Sequence, residues 1–367
     1  MTPNPTPNPT PNPTPSPTLD PRLRVVQWAT GNIGTRSLRH LIEHPDLDLV
    51  GVFVHDPAKV GRDAGDLAGL APNGVIATDQ LSDIIALKPD CVIYMPRHPD
   101  LTVICQLLAG GSNVVTTTGV GAHPASMDPD AREQIEAACR LGGSSIHATG
   151  SSPGFITETL PLALMSIQRR LDRITIDEFA DLSRRDSPGL LFDVMGFGKP
   201  PTEMLAGRAD HLGGSFGPSL RNLADTLGIH VDEVTARQEL AVTPRRIEIA
   251  AGVLEAGTVA CQRNVISARS DGRDVVVFRA NWYCTTELDP AWDLLETGWR
   301  VNVEGDAPLS LDVRMPISLD QMAATTPGYT ANGAVNSVAA VCAAAPGMVT
   351  IADLPRVVPV LVSDSPE

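Results

Sequence analysis

Basic residues are scarce in this chain. Against 43 Asp and Glu there are 28 Lys and Arg in 367 residues, which gives a net charge of −15 and a pI of about 4.9. Duplex nucleic acid and anionic bilayers both reward basic patches, so neither is an expected partner. No apolar run approaches the roughly 20 residues needed to span a bilayer. The six cysteines (Cys91, Cys105, Cys139, Cys261, Cys284 and Cys342) show no C-x-x-C spacing and lie mostly in apolar segments. That pattern favours buried free thiols in a reducing, cytoplasmic setting over a disulfide framework. No P-loop with a Gly-Lys-Ser/Thr ending and no Ser-His-Asp arrangement is present.

Composition is otherwise that of a globular protein, with 43% hydrophobic and 19% charged residues, and the length suits two domains. Residues 1–21 stand apart: Thr-Pro-Asn-Pro occurs three times and Thr-Pro-Ser-Pro follows. Proline at every second position removes backbone donors and favours solvated, extended chain, so a disordered tail without a catalytic part is expected. It carries no basic start, apolar stretch or cleavage site of a signal peptide.

The informative stretch is residues 24–56, which reads as strand, glycine turn, helix, strand. Val25, Val26 and Trp28 form a strand-like run, and Ile33, Leu38, Leu41 and Ile42 recur at helical spacing. Between them lies Ala29-Thr30-Gly31-Asn32-Ile33-Gly34, a G-x-G-x-x-G pattern with alanine first. Gly31 would admit a pyrophosphate against the backbone, and Gly34 would let the helix pack close to the strand. The helix N-terminus would offer N–H groups to the phosphates. NADP or NAD is therefore the expected cofactor, held by Thr30, Gly31, Asn32, Ile33 and Gly34. At the end of the second strand His55 and Asp56 compete with Lys59 and Arg62 for the ribose; both cofactors should bind, with a modest preference for NADP.

Strand and helix signals alternate through residue 150, which argues for a doubly wound parallel sheet over 22–150. Ligands of such sheets bind beyond the carboxyl ends of the strands. The expected wall is therefore Met95 and Pro96, Thr116 and Thr117, Gly150 and Ser152. A helix is expected from Ser152 to about Gln168, with Pro153 in its first turn. Strand-like segments then dominate 151–325, among them 174–180, a single stretch at 247–251, 258–267, 275–283, 299–303 and 309–315. One helix interrupts them at about 219–227, and Asp271-Gly272 marks a hairpin. A mainly antiparallel sheet in an α+β domain is the expectation there. A helix at 331–345 would let 326–360 pack back and complete the first domain.

Four stretches carry a resemblance: VVQWATGNIG at 25–34, DAGDLAG at 63–69, the threonines 116–118, and GSSPGF at 150–155. Together they resemble the dihydrodipicolinate reductase-like superfamily, in its branch of 2,4-diaminopentanoate dehydrogenases and related amine dehydrogenases. The resemblance implies a Rossmann-type NAD(P)-binding domain and an α+β domain that closes over substrate and makes homo-oligomer contacts. Two departures stand out. Dihydrodipicolinate reductases carry a His-His pair, a lysine and a Pro-Ser-Gly-Thr stretch, which are missing here, so a place in lysine synthesis is not expected. The amine dehydrogenases use a glutamate just after the strand matching 114–118, where this chain has Gly119-Val120-Gly121-Ala122-His123 and no carboxylate before Asp128.

The expected activity is an NAD(P)-dependent oxidoreductase reducing C=O or C=N of a small organic substrate. The alternatives are an amine dehydrogenase with a displaced acid and a non-catalytic NAD(P)-binding redox sensor. His123 could donate a proton, or could be a loop histidine bonded to backbone. The resemblance implies that the loop after the first strand of the second domain faces the cleft. There Asp181 could act catalytically, and Arg184 and Arg185 could bind a substrate carboxylate or form a solvated charge cluster. Phe155 would line the substrate side, and Lys199 lies in a glycine-rich turn or lid. Direct reduction without ammonia is expected, because the 119–123 loop offers no carboxylate. His147 reads as a core residue. His40 and His44 share a helix face at metal-pair spacing with no third ligand, so no metal is expected.

Overall fold

The computed structural model describes residues 22–204 and 208–361, with side chains except at 208–211. The expectation for residues 1–21 lies outside the described residues. The first part alternates: β1 (Leu23–Trp28), α1 (Asn32–Glu43), β2 (Leu47–Phe53), α2 (Ala64–Ala68), β3 (Ala77–Thr78), α3 (Leu81–Ala86), β4 (Cys91–Tyr94), α4 (Leu101–Ala109), β5 (Asn113–Thr116), α5 (Pro129–Gly142) and β6 (Ser145–Ala148). Its strands form a seven-stranded parallel sheet with β15 (Gly347–Met348) at one edge, in the order β15-β6-β5-β4-β1-β2-β3. Order reverses between β1 and β4, which puts the crevice of a doubly wound sheet beside the β1–α1 turn.

Both faces of this sheet are buried. Leu38 and Leu41 of α1, Ala64 and Ala68 of α2, and Ala334, Val335, Val338 and Val341 cover one face. Ile84 of α3, Ile104, Leu107 and Leu108 of α4, and Ile135, Ala138 and Cys139 of α5 cover the other. Double coverage is why β4 reads as an uninterrupted apolar run and not as an alternation.

After β6 a π-type turn, Phe155–Thr159, runs into α6 (Leu160–Met165). There follow β7 (Leu171–Asp181), α7 (Arg208–Thr226), β8 (Glu233–Val242), β9 (Ile247–Ile249), β10 (Gly252–Leu254), β11 (Val259–Ser270), β12 (Arg273–Tyr283), β13 (Gly298–Gly305), β14 (Leu309–Arg314) and α8 (Leu319–Cys342). The second sheet has six strands in the order β14-β13-β7-β12-β11-β8. Its pairs are antiparallel except β7 with β12. Phe216, Leu220, Leu223 and Ala224 of α7 pack on Ile174, Ile176, Ile266 and Phe278 of the sheet.

Several elements differ from the sequence expectation. The helix after β6 begins at Phe155, not at Pro153, because Gly154 at φ +120° breaks the helical path. The stretch at 247–251 is the first strand and turn of a two-stranded hairpin whose second strand is β10. The helix at 219–227 extends back to Arg208; a Cβ at Gly213 would stand 3.1 Å from Ala236 Cβ, so its glycines serve a close approach to β8. The last helix starts at Leu319 and runs through Pro327, in a Thr-Thr-Pro-Gly stretch whose low propensity hides it. β8 is an edge strand with a half-exposed, largely polar sequence, and went unseen for that reason.

Candidate active site

The crevice is built around the β1–α1 turn. Ala29 follows β1 at φ +72°, in the left-handed region, and Gln27 Nε2 donates to its carbonyl at 2.9 Å. The two glycines of the turn differ sharply. A Cβ on Gly34 would lie 2.1 Å from Ala29 O, so Gly34 is required by the contact of α1 with β1. A Cβ on Gly31 would meet nothing within 4 Å, and its φ of −75° is open to any residue. Among the described residues no packing contact requires glycine there, and the space before it is open. Gly31 is also the N-cap of α1, with no side-chain cap and no acid in the first turn. The first N–H groups of α1 are therefore left for an external acceptor, at the positive end of a 12-residue helix. Lys59 Nζ donates to Thr30 O at 2.8 Å and to Thr30 Oγ1 at 3.2 Å, which brings a cation to the same turn.

This cradle fits the pyrophosphate of a dinucleotide. Thr30, Gly31, Asn32, Ile33 and Gly34 would hold it, as the sequence suggested. At the end of β2, Phe53 stacks on Trp28 at 3.6 Å and His55 meets Phe53 edge-on at 5.1 Å. The Asp56 carboxylate accepts from Ala58 N–H at 3.0 Å and so caps its own turn, while His55 and Arg62 are exposed.

The remaining strand ends form a continuous wall. Met95 and Pro96 are buried beyond β4, with Met95 N–H donating to Trp28 O at 3.1 Å. Thr116 Oγ1 donates to Tyr94 O at 2.9 Å and meets Thr118 Oγ1 at 2.8 Å; Thr117 beside it is half-buried. Beyond β6 the chain folds tightly on itself, since a Cβ at Gly150 would lie 2.6 Å from Pro153 O. Ser151 Oγ meets Thr330 Oγ1 of α8 at 2.7 Å, the buried Ser152 Oγ has no partner among the described residues, and Phe155 is exposed. The DAGDLAG motif is architectural. The Asp63 carboxylate accepts from Gly65, Asn73 and Gly74 N–H groups, which hold its pKa below the usual range.

The titratable residues near this wall are arranged by α7. His123 is buried, with Nε2 2.8 Å from Asp225 Oδ2 and Nδ1 2.5 Å from Ser126 Oγ. A carboxylate only accepts, so Nε2 carries a hydrogen, while Nδ1 shares one with the serine hydroxyl. Its partners are thus side chains and not backbone, and no ring nitrogen is left over. One turn along α7, Asn222 Nδ2 donates to Glu158 Oε2 at 2.6 Å and Ser219 Oγ donates to Oε1 at 2.5 Å. Burial pushes the Glu158 carboxyl up to about 7, against the lowering effect of those two donors. Sequence reasoning passed over Glu158. The signal was a lone acid inside the apolar run ITETLPLALM, which looks like a first-turn acid complementing a helix dipole.

The other residues singled out from sequence lie in different surroundings. Asp181 Oδ1 accepts from Ser183 N–H at 2.8 Å, and Ser183 O accepts from Ala250 N–H of the β9–β10 turn. Arg184 and Arg185 beside it are exposed. No hydrogen bond or ion pair among the described residues ties these three to the parallel-sheet wall. Lys199 is tied through its carbonyl to Val259 N–H at the start of β11. His147 is buried with Nδ1 2.9 Å from Val349 O, and burial lowers its pKa. His40 binds Asn332 and His44 accepts from Asp46 N–H; among the described residues no cluster of three or more His, Cys, Asp or Glu gathers as a metal site. A groove of about 450 Å³ runs between α1 and α8 past Arg36, His40 and Asn332, on the flank of α1 and away from Gly31.

With this geometry in place, two family models match. One described as the 2,4-diaminopentanoate dehydrogenase C-terminal domain covers residues 155–366, and one described as the dihydrodipicolinate reductase N-terminus covers residues 25–140. An amine dehydrogenase of Streptomyces virginiae is 28% identical over 358 residues, 91% of this chain and 96% of that protein. A 4-hydroxy-tetrahydrodipicolinate reductase of Mastigocladus laminosus is 27% identical over 175 residues, 45% of this chain and only 60% of its own length. The solved structure of an amine dehydrogenase from Mycobacterium smegmatis has the same fold, with a TM-score of 0.69 at 20% identity over 91% of this chain and 96% of that one.

Proposed function

The chain belongs to the 2,4-diaminopentanoate dehydrogenase family and is an oxidoreductase using a pyridine nucleotide, and from that premise we propose that it reduces the C=O or C=N bond of a small organic substrate at the carboxyl edge of the parallel sheet. The observation that carries the reading is the contrast at the turn: Gly34 is fixed by its neighbours, whereas Gly31 leaves open space before an uncapped helix N-terminus. In this reading Thr30 to Gly34 hold the pyrophosphate. Met95, Pro96, Thr116, Thr117, Gly150 and Ser152 flank the nicotinamide half, the buried Ser152 hydroxyl being free to bond it. When bound, the cofactor supplies hydride, so the protein's tasks are to orient the acceptor carbon, exclude water and provide a proton. Phe155 stands exposed where the substrate would lie.

Asp56 is engaged in its own turn and Arg62 is exposed beside it, which supports binding of both cofactors with a modest preference for NADP. A division into a cofactor domain of 22–150 completed by 326–360 and a second domain of 151–325 accords with α8 and β15 packing on the parallel sheet.

One specific observation favours a second reading, reductive amination. The expectation against ammonia incorporation rested on the lack of a carboxylate at 119–123, and Glu158 is a carboxylate nearby. Fluorescence titration with NADPH and NADH tests the cofactor. Cofactor oxidation with ketones and cyclic imines, with and without ammonium and with product identification, tests the reaction. Amine formed from ketone and ammonium as fast as alcohol would move the assignment to reductive amination; failure of both cofactors to bind would refute both readings.

A further inference from the structure

Glu158 is poorly explained as a structural residue. It sits one turn into the helical segment that follows the Gly150–Phe155 wall, and its backbone N–H donates to Gly154 O at 2.8 Å. Its side chain is 7% exposed, beside Asn222 at 5% and within the same α7 edge that holds His123 at 8%. A buried carboxylate is ordinarily paired with a cation, because desolvating an unpaired charge costs several kcal/mol. Here the two donors, Ser219 and Asn222, are neutral. Among the described residues, the charged groups on the elements packed around it turn elsewhere. Arg221 Nη1 donates to Val231 O at 3.1 Å, Asp225 binds His123, and Glu178 on β7 accepts from the indoles of Trp282 and Trp299. Glu158 can therefore change charge without breaking an ion pair.

We propose that Glu158, and not His123, gives the proton that accompanies hydride transfer, with Ser219 and Asn222 stabilising the carboxylate left behind. The inference rests on the oxidoreductase reading above. With a hydride that the bound cofactor would supply to the C=N or C=O carbon, the heteroatom would receive the π pair and take the Glu158 carboxyl proton. Substrate is reduced, cofactor is oxidised, and water reprotonates Glu158. A carboxyl titrating near neutrality suits the task, since general acids work best close to the operating pH. His123 has both nitrogens committed, so it serves to join the 119–127 loop to α7.

The test compares wild type with Glu158→Gln, which keeps the shape and removes the proton. Cofactor dissociation constants should stay within about threefold while kcat falls about a hundredfold or more, the usual weight of a general acid. The wild-type limb of the pH–rate profile near neutrality should vanish. In cofactor-free protein, thermal unfolding across pH 5 to 8 should show a loss of wild-type stability with rising pH that the variant lacks. If Glu158→Gln fails to fold, Ser219→Ala replaces it; loss of that donor should move the limb to higher pH. Wild-type kcat and an unmoved profile in these variants, with cofactor bound, would overturn the assignment of Glu158 alone. A protein that binds neither cofactor would overturn the functional reading and this assignment with it.

Discussion

The β1–α1 turn and the Glu158 centre, which lies in the helical segment after β6, are both polar sites, yet they are built in opposite ways. The turn is built from six consecutive residues, Ala29 to Gly34, held by Gln27 just before them and by Lys59. The Glu158 centre joins residues 61 and 64 positions apart, and the neighbouring His123 contact spans 102. The turn works by leaving things out: no Cβ at Gly31, no cap on α1, no acid in its first turn. The Glu158 centre works by adding a charge-bearing group where burial opposes charge. A binding cradle can therefore be encoded locally, whereas a tuned acid needs the tertiary fold to bury it.

The contrast can be broken first at the turn itself. Gly34→Ala places a Cβ 2.1 Å from Ala29 O, a backbone atom that cannot swing away. Overpacking of that kind should cost about 3 kcal/mol of stability in urea unfolding, the largest effect expected. Unchanged stability would mean that α1 is not pressed on β1.

The second way sharpens the acid centre through pH. Burial raises the Glu158 carboxyl from 4.5 to about 7 in the fold. At 1.36 kcal/mol per unit this sets an upper bound of about 3 kcal/mol. Because the folded state prefers the protonated form, that stability is fully present below about pH 4.5 and is lost as pH rises through about 7. The stability difference between wild type and Glu158→Gln should therefore shift in the variant's favour between pH 5 and 8. A difference independent of pH would place the carboxyl in a wetter site.

A smaller effect is expected at Lys59, whose ammonium lies on Thr30 O. Lys59→Met should weaken cofactor binding about tenfold at low salt and less at high salt, read by fluorescence titration. An increase in affinity would show that this cation blocks the turn.

Legibility in the sequence follows the same division. The parallel sheet was readable because local signals agree with the fold: α1 spans Asn32–Glu43, as the spacing of Ile33, Leu38, Leu41 and Ile42 indicates. The Asp271-Gly272 hairpin turn has both residues at positive φ, 49° and 72°, as the dipeptide suggests. Elements whose local sequence opposes their state were hidden, as with α8 across Pro327 and the polar edge strand β8. Glu158 was hidden differently. Its own neighbourhood is apolar, and the residues that define its role, Ser219 and Asn222, lie on a helix legible at 219–227 whose packing against Glu158, 61 and 64 positions away, no local signal reveals. His123 was visible as a polar residue after β5, but its partner Asp225 was not.

The central claim, that the β1–α1 turn is the cofactor cradle, is tested most directly by Gly31→Val. A Cβ there meets no atom within 4 Å beyond its chain neighbours, so unfolding stability should fall by no more than about 1 kcal/mol, the usual cost of losing a favoured N-cap residue. Fluorescence titration with NADPH and NADH on the folded variant should show affinity reduced well beyond tenfold. Wild-type affinity in a stable Gly31→Val protein would contradict the account, because the space before Gly31 would then have no ligand to fill it.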